Sequence, residues 1–134
     1  MLETAHAFSG FSTTDTSAAR QFYEGTLGLT VVDEGMGGLI SLRLINGTRV
    51  LIYPKPNHEP ATYTVLNFPV DDIDVAVDAL AAAGVEMLKY DGLHQDEKGI
   101  MRGRAAGYGP DQAWFTDSGG NILSVLAGDP PPEA

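Results

Sequence analysis

The chain has 134 residues, 43% of them hydrophobic and 19% charged, a balance that supports a packed core and excludes a disordered chain. Its net charge of −10 opposes a nucleic-acid partner, and the absence of cysteine excludes disulfides, a thiolate nucleophile and a Cys-bound zinc. No apolar run approaches the roughly 18 residues of a membrane helix and the start lacks a basic-then-apolar leader, so the expectation is a cytoplasmic protein with no membrane partner.

In chain order, Phe8-Ser9-Gly10-Phe11-Ser12 reads as a strand that runs to Asp15. The Asp15 carboxylate can accept from the free N–H groups of a following helix, which is expected from Thr16 to about Gly25 with Ala18, Ala19, Phe22 and Tyr23 as its apolar stripe. Gly35-Met36-Gly37-Gly38 is a turn signal between strands, since no helix follows it. Ile40, Leu42 and Leu44 then alternate with Ser41 and Arg43, and Val50 and Ile52 alternate with Arg49, Leu51 and Tyr53. Lys55-Pro56-Asn57-His58-Glu59-Pro60 is a polar connector, and its Lys55 and His58 read as solvated.

The pattern then starts again. Leu66, Phe68 and Val70 alternate with Val65, Asn67 and Pro69, and Asp72 caps a helix carrying Ile73, Ala76, Val77, Leu80 and Ala83, which Gly84 stops. Leu123 and Val125 alternate with Ile122, Ser124 and Leu126 in the last strand, and the tail Asp129–Ala134 is expected to fray. The two halves are offset by about 57 residues at their first strands and about 73 at their last, so the second half carries about 16 extra residues. These fall between Asp91 and Gln112, a polar, Gly-rich segment expected to be mobile, with Met101 and Tyr108 as possible anchors. The expectation is one domain over 1–134, with module one at about 6–55, module two at about 62–127 and the insertion at about 91–112.

Two β-α-β-β-β units, Phe22-Tyr23-Glu24-Gly25-Thr26-Leu27-Gly28-Leu29 after the first helix, and Trp114-Phe115-Thr116-Asp117-Ser118-Gly119-Gly120-Asn121 before the last strand make a combined pattern. It resembles the glyoxalase/bleomycin resistance protein/extradiol dioxygenase superfamily, the vicinal oxygen chelate (VOC) proteins, over about residues 6 to 127. The resemblance implies an α+β fold of two tandem β-α-β-β-β modules, whose curved mixed sheets form a cleft, and a homodimer. It specifies no reaction, because this fold hosts lyases, isomerases, dioxygenases and drug-binding proteins. Metal enzymes of the superfamily take a ligand from the first and fourth strand of each module. The matching positions here are Phe8, Leu51, Val65 and Ser124, which lack the carboxylate or imidazole donors that a divalent metal wants. The expectation is therefore no metal and no cofactor. His6, His58 and His94 show no metal-ligand spacing.

By strand parity and this resemblance, the ligand-binding candidates are Phe8, Arg49, Leu51, Tyr53, Tyr63, Val65, Asn67, Trp114 and Ser124, with Ser12, Ser41, Arg43 and Ile122 beside them. An apolar surface with a few placed polar groups suits a small organic molecule: Trp114 and the tyrosines supply planar contact, and Arg49 or Asn67 can orient a polar end. The expected function is metal-independent binding of a drug or metabolite. The alternatives are an atypical lyase or isomerase on a small carbonyl compound, with catalytic residues unknown, and a degenerate fold used as an interaction module.

Overall fold

In a computed structural model, which describes residues 1–35, 37–107 and 109–128, the described residues form eight strands in two four-stranded mixed sheets. The strands are β1 (Ser9–Thr13), β2 (Thr30–Asp33), β3 (Ile40–Arg43), β4 (Arg49–Pro54), β5 (Thr64–Pro69), β6 (Met101–Arg102), β7 (Asp111–Thr116) and β8 (Ile122–Ala127). The helices are α1 (Thr16–Arg20), which continues as a π-helical turn over Gln21–Thr26, then α2 (Ile73–Ala82) and α3 (Gly103–Ala106). Met36, Tyr108 and the tail from Asp129 lie outside the described residues, so the expectations for Tyr108 and the tail fall there. No helix among the described residues is long and apolar enough to cross a membrane.

The first unit comprises Met1–Pro60 together with Asp117–Gly120. Its sheet has the order β1-β4-β3-β2, with β1 parallel to β4 and the other pairs antiparallel. Phe11, Ile52 and Ile40 lie opposite one another, as do Val50, Leu42 and Val31, and all six are buried. The helical segment contributes Ala19 and Tyr23 to this core, with Tyr23 tilted against Phe11 at 6.2 Å between ring centroids. Asp15 starts the helix as its composition predicts, accepting from the N–H groups of Ser17 and Ala18.

The second unit comprises Ala61–Thr116 and the described chain from Asn121 onward. Its order, β5-β8-β7-β6, repeats the first unit strand for strand. The repeat also holds in register. Gly10 faces Leu51 in the first unit and Asn67 faces Ser124 in the second, with the same offsets that the sequence shows. Asp72 caps α2 by accepting from Val75 N–H, and Ile73 and Val77 on that helix are buried, as are Ala113, Phe115, Leu123 and Val125 on the sheet.

The segment expected to be a mobile insertion is internally organised. Met101–Arg102 is the edge strand of the sheet, and Ile100 before it is fully buried. The Gln95 amide donates to the carbonyls of Leu88 and Gly99 and accepts from Tyr90 N–H. Asp96 Oδ1 accepts from the N–H groups of Lys98 and Ile100, and Arg102 reaches both Asp96 and Asp74. The polar and charged side chains that suggested a solvated loop are the groups that tie it.

Candidate functional site

In the first unit, register places Gly10, Ser41 and Leu51 together on the sheet face opposite the buried apolar rows, with Ser12 beside Tyr53 and Arg43 beside Arg49. This face carries four of the expected ligand contacts. Phe8 sits just before β1 and is 53% exposed, Tyr53 is 40% exposed, and Arg49 and Leu51 are half-buried. The Arg49 guanidinium carbon lies 4.2 Å from the Phe8 ring centroid, a cation–π contact. Arg43 is committed elsewhere: Glu34 Oε1 accepts from Arg43 at 3.0 Å and from the buried Ser41 hydroxyl at 2.6 Å. The Ser41 hydrogen bond, with the charges of Arg43 and Arg49, holds the Glu34 carboxyl below its ordinary value against some desolvation.

His58 departs from the sequence expectation. It is half-buried, its Nδ1 is 2.7 Å from Ser12 Oγ, and its Nε2 is 2.9 Å from the Gly119 carbonyl oxygen. The connector that carries it is held by Lys55 N–H donating to Thr13 O and by His58 N–H donating to Lys55 O. A solvated histidine was the natural reading because nothing in a Pro-rich stretch announces a partner 46 residues away. His6 and His94 are exposed, and among the described residues no three His, Asp or Glu side chains form a group that could hold a metal ion.

The turn Asp117–Gly120 is built to fit this unit. Asp117 Oδ2 accepts from the Tyr23 hydroxyl at 2.6 Å, and its Oδ1 accepts from Gly119 N–H. Burial pushes the Tyr23 phenol far above its ordinary value, and the Asp117 charge and hydrogen bond add to the rise, so Tyr23 stays a neutral donor. A Cβ on Gly119 would meet Thr13 Oγ1 at 2.5 Å, so only glycine brings this carbonyl so close to β1.

In the second unit, Asn67, Ser124 and Trp114 lie side by side across β5, β8 and β7. The buried Ser124 hydroxyl accepts from the Gln112 amide at 3.1 Å and donates to Asn67 Oδ1, a short contact of 2.5 Å. Gln112 was assigned to the end of the insertion. Its position two residues before Trp114 on one strand was the signal that could have found it. Trp114 is half-buried and meets Tyr90 edge to face, with ring centroids 5.7 Å apart. Val65 is half-buried, and a register shift between Thr64 and Leu66 interrupts the alternation there. Tyr63, just before β5, is 69% exposed.

A groove of about 570 Å³ also runs along α2, lined by Val77, Ala81 and Met87 with Asp78, Lys89 and Lys98. It includes none of the expected ligand contacts, and Lys98 is already paired with Asp74 and Asp78.

Residues 5–125 match the family model of the Glyoxalase/Bleomycin resistance protein/Dioxygenase superfamily. Among curated proteins, none matches the sequence. Solved structures share the fold at low identity. TnmS3, an antibiotic binding protein from Streptomyces sp. CB03234, is 20% identical with a TM-score of 0.64 over 94% of this chain and 98% of its own. The fosfomycin resistance protein FosX from Listeria monocytogenes is 14% identical with a TM-score of 0.68 over 95% of this chain and 93% of its own. A glyoxalase/dioxygenase from Nostoc punctiforme is 18% identical with a TM-score of 0.63 over 96% of this chain and 92% of its own. At these identities the likeness establishes the VOC fold and nothing finer.

Proposed function

We propose that this chain, which belongs to the Glyoxalase/Bleomycin resistance protein/Dioxygenase superfamily, binds a small organic molecule without a metal at the superfamily's ligand positions. The observation that carries the reading is the chemistry at those four positions. Phe8, Leu51 and Val65 offer no donor atom, and the hydroxyl of Ser124 is shared between Gln112 and Asn67. Arg49 stacked on Phe8 adds a positive charge beside one of them, which opposes a divalent cation. These residues do not fit a metal ion. Each unit by itself suits one side of an amphipathic ligand: in the first, Phe8, Leu51 and Tyr53 offer flat apolar contact and Arg49 an orienting charge, and in the second, Tyr63, Val65 and Trp114 offer contact and Asn67, braced by Ser124, an orienting amide. TnmS3, an antibiotic binding protein, supports the same class of ligand. We further propose a homodimer of single-domain chains, each made of module one, about 6–55, and module two, about 62–127.

Trp114 is the only tryptophan, which makes its fluorescence a clean reporter. Titration with aromatic antibiotics and small carbonyl metabolites should give saturable quenching for at least one class. Elemental analysis of the purified protein should find far less than one Zn, Ni, Fe or Mn per chain. A stoichiometric metal lost on mutating Ser124 or Asn67 would overturn the metal-independent reading. Failure of every ligand class to quench would remove the binding reading. Sedimentation at a mass near that of one 14.2 kDa chain would remove the dimer.

A further inference from the structure

We infer from the geometry around His58 that the first unit holds a reactive centre, in which the Ser12 hydroxyl is an acyl acceptor activated by that imidazole. The inference shares Tyr53 with the proposed ligand-binding face but does not depend on that reading, because it rests on hydrogen bonds within the first unit alone.

The protonation pattern follows from the partners. A carbonyl oxygen can only accept, so His58 Nε2, 2.9 Å from Gly119 O, carries the proton and donates it. Nδ1 is then the bare nitrogen, and the Ser12 hydroxyl at 2.7 Å donates into its lone pair. The order is nucleophile, base, and a third group that fixes the base's tautomer and orientation. As Nδ1 takes up a proton, the imidazole becomes a cation, and the Gly119 carbonyl stabilises it through the Nε2–H bond.

Each partner is positioned by backbone, which separates this contact from a chance meeting of surface side chains. Ser12 lies on β1, paired with Tyr53. His58 is set against the same strand by the Lys55–Thr13 and His58–Lys55 backbone bonds. Gly119 reaches β1 because it has no side chain to strike Thr13. Ser12 is half-buried.

The substrate class is a small uncharged ester with a good leaving group, such as an aryl ester, whose ring can lie on the exposed Tyr53. Ser12 Oγ attacks the ester carbonyl carbon while its proton passes to His58 Nδ1. The carbon–oxygen bond to the aryl group breaks, and the aryl oxide leaves with that proton as a phenol. Water then attacks the acyl-serine, His58 again taking and returning a proton, and releases the carboxylic acid with the Ser12 hydroxyl restored.

The test treats the folded full-length chain with an alkyl fluorophosphonate, whose fluoride is displaced by an activated serine, and maps the adduct by peptide mass spectrometry. The expected result is one adduct per chain on Ser12, absent from Ser12→Ala and from chain denatured before labelling. His58→Gln keeps an acceptor for the Ser12 hydroxyl but cannot take its proton, and should slow labelling about 100-fold or more. A purely structural Ser12–His58 clip would give no adduct on wild-type Ser12, or one formed equally fast in His58→Gln, and either result overturns the proposal. The wild-type measurement decides the matter even if the variant does not fold.

Discussion

The hydroxyl of Tyr23 donates to Asp117 Oδ2 at 2.6 Å across 94 positions of chain, and both residues are buried. Hydrogen bonds to a charged group are worth about 1.5–3 kcal/mol. Tyr23→Phe should therefore lose about that much stability in urea unfolding, with little change in m-value. Linkage adds a second signature. The folded Tyr23 phenol titrates above its ordinary 10.0, so the unfolded chain releases this proton first. The stabilisation is complete below about pH 10 and is lost as pH rises further, and Tyr23→Phe should flatten that alkaline limb.

Gly119→Ala tests the close approach of the turn to β1. The new Cβ would lie 2.5 Å from Thr13 Oγ1, with the Thr13 Cβ at 3.3 Å behind it. Overpacking of this kind costs about 1–3 kcal/mol. Chemical denaturation should show the loss, and the Gly119 carbonyl should move away from His58, visible as a changed imidazole NMR signal.

Trp114→Ala should weaken binding of any ligand that quenches the wild-type protein by about 1–3 kcal/mol, read by calorimetry because the fluorophore is gone. Tyr90→Ala should weaken it less, since Tyr90 meets the indole ring and its effect on the ligand passes through it. Equal losses would assign Tyr90 a direct contact.

Asp74 governs the acid limb. Hydrogen bonds from Arg102 and then Lys98 hold its carboxyl well below the ordinary 3.8 of an aspartate, despite some desolvation. A depressed folded value stabilises the chain above the unfolded pKa, and that contribution declines as pH falls below about 3.8 toward the folded value. Asp74→Asn should remove this part of the acid dependence in pH-resolved thermal melts. Because the pair is exposed, the effect should shrink as salt rises.

The parts of this fold that were legible in sequence are those that repeat at short range. Alternation along β4 and β8 assigned their faces, and Asp15 and Asp72 marked both helix starts, because caps and strand parity depend on a few neighbouring residues. The doubling of the chain carried further still, since Gly10 and Leu51 align with Asn67 and Ser124 at the observed register. The missed features depend on distant partners. A two-residue strand at Met101 has no period to detect, and a single shifted residue near Val65 leaves no mark in composition. His58 looked solvated because its partners, Ser12 and Gly119, become neighbours only once β1 and the turn before β8 are placed.

The turn Asp117–Gly120 belongs to the first unit, although the strands it joins, β7 and β8, belong to the second. During synthesis, residues 1–60 emerge long before the groups that complete their unit. At that stage Tyr23 has no Asp117 to receive its hydrogen bond, and His58 has no Gly119 carbonyl. The first unit is thus finished by residues that follow β7, a strand of the second. Its closure is a long-range event of the kind that slows folding, and Tyr23 gains its acceptor only after β7 has been made.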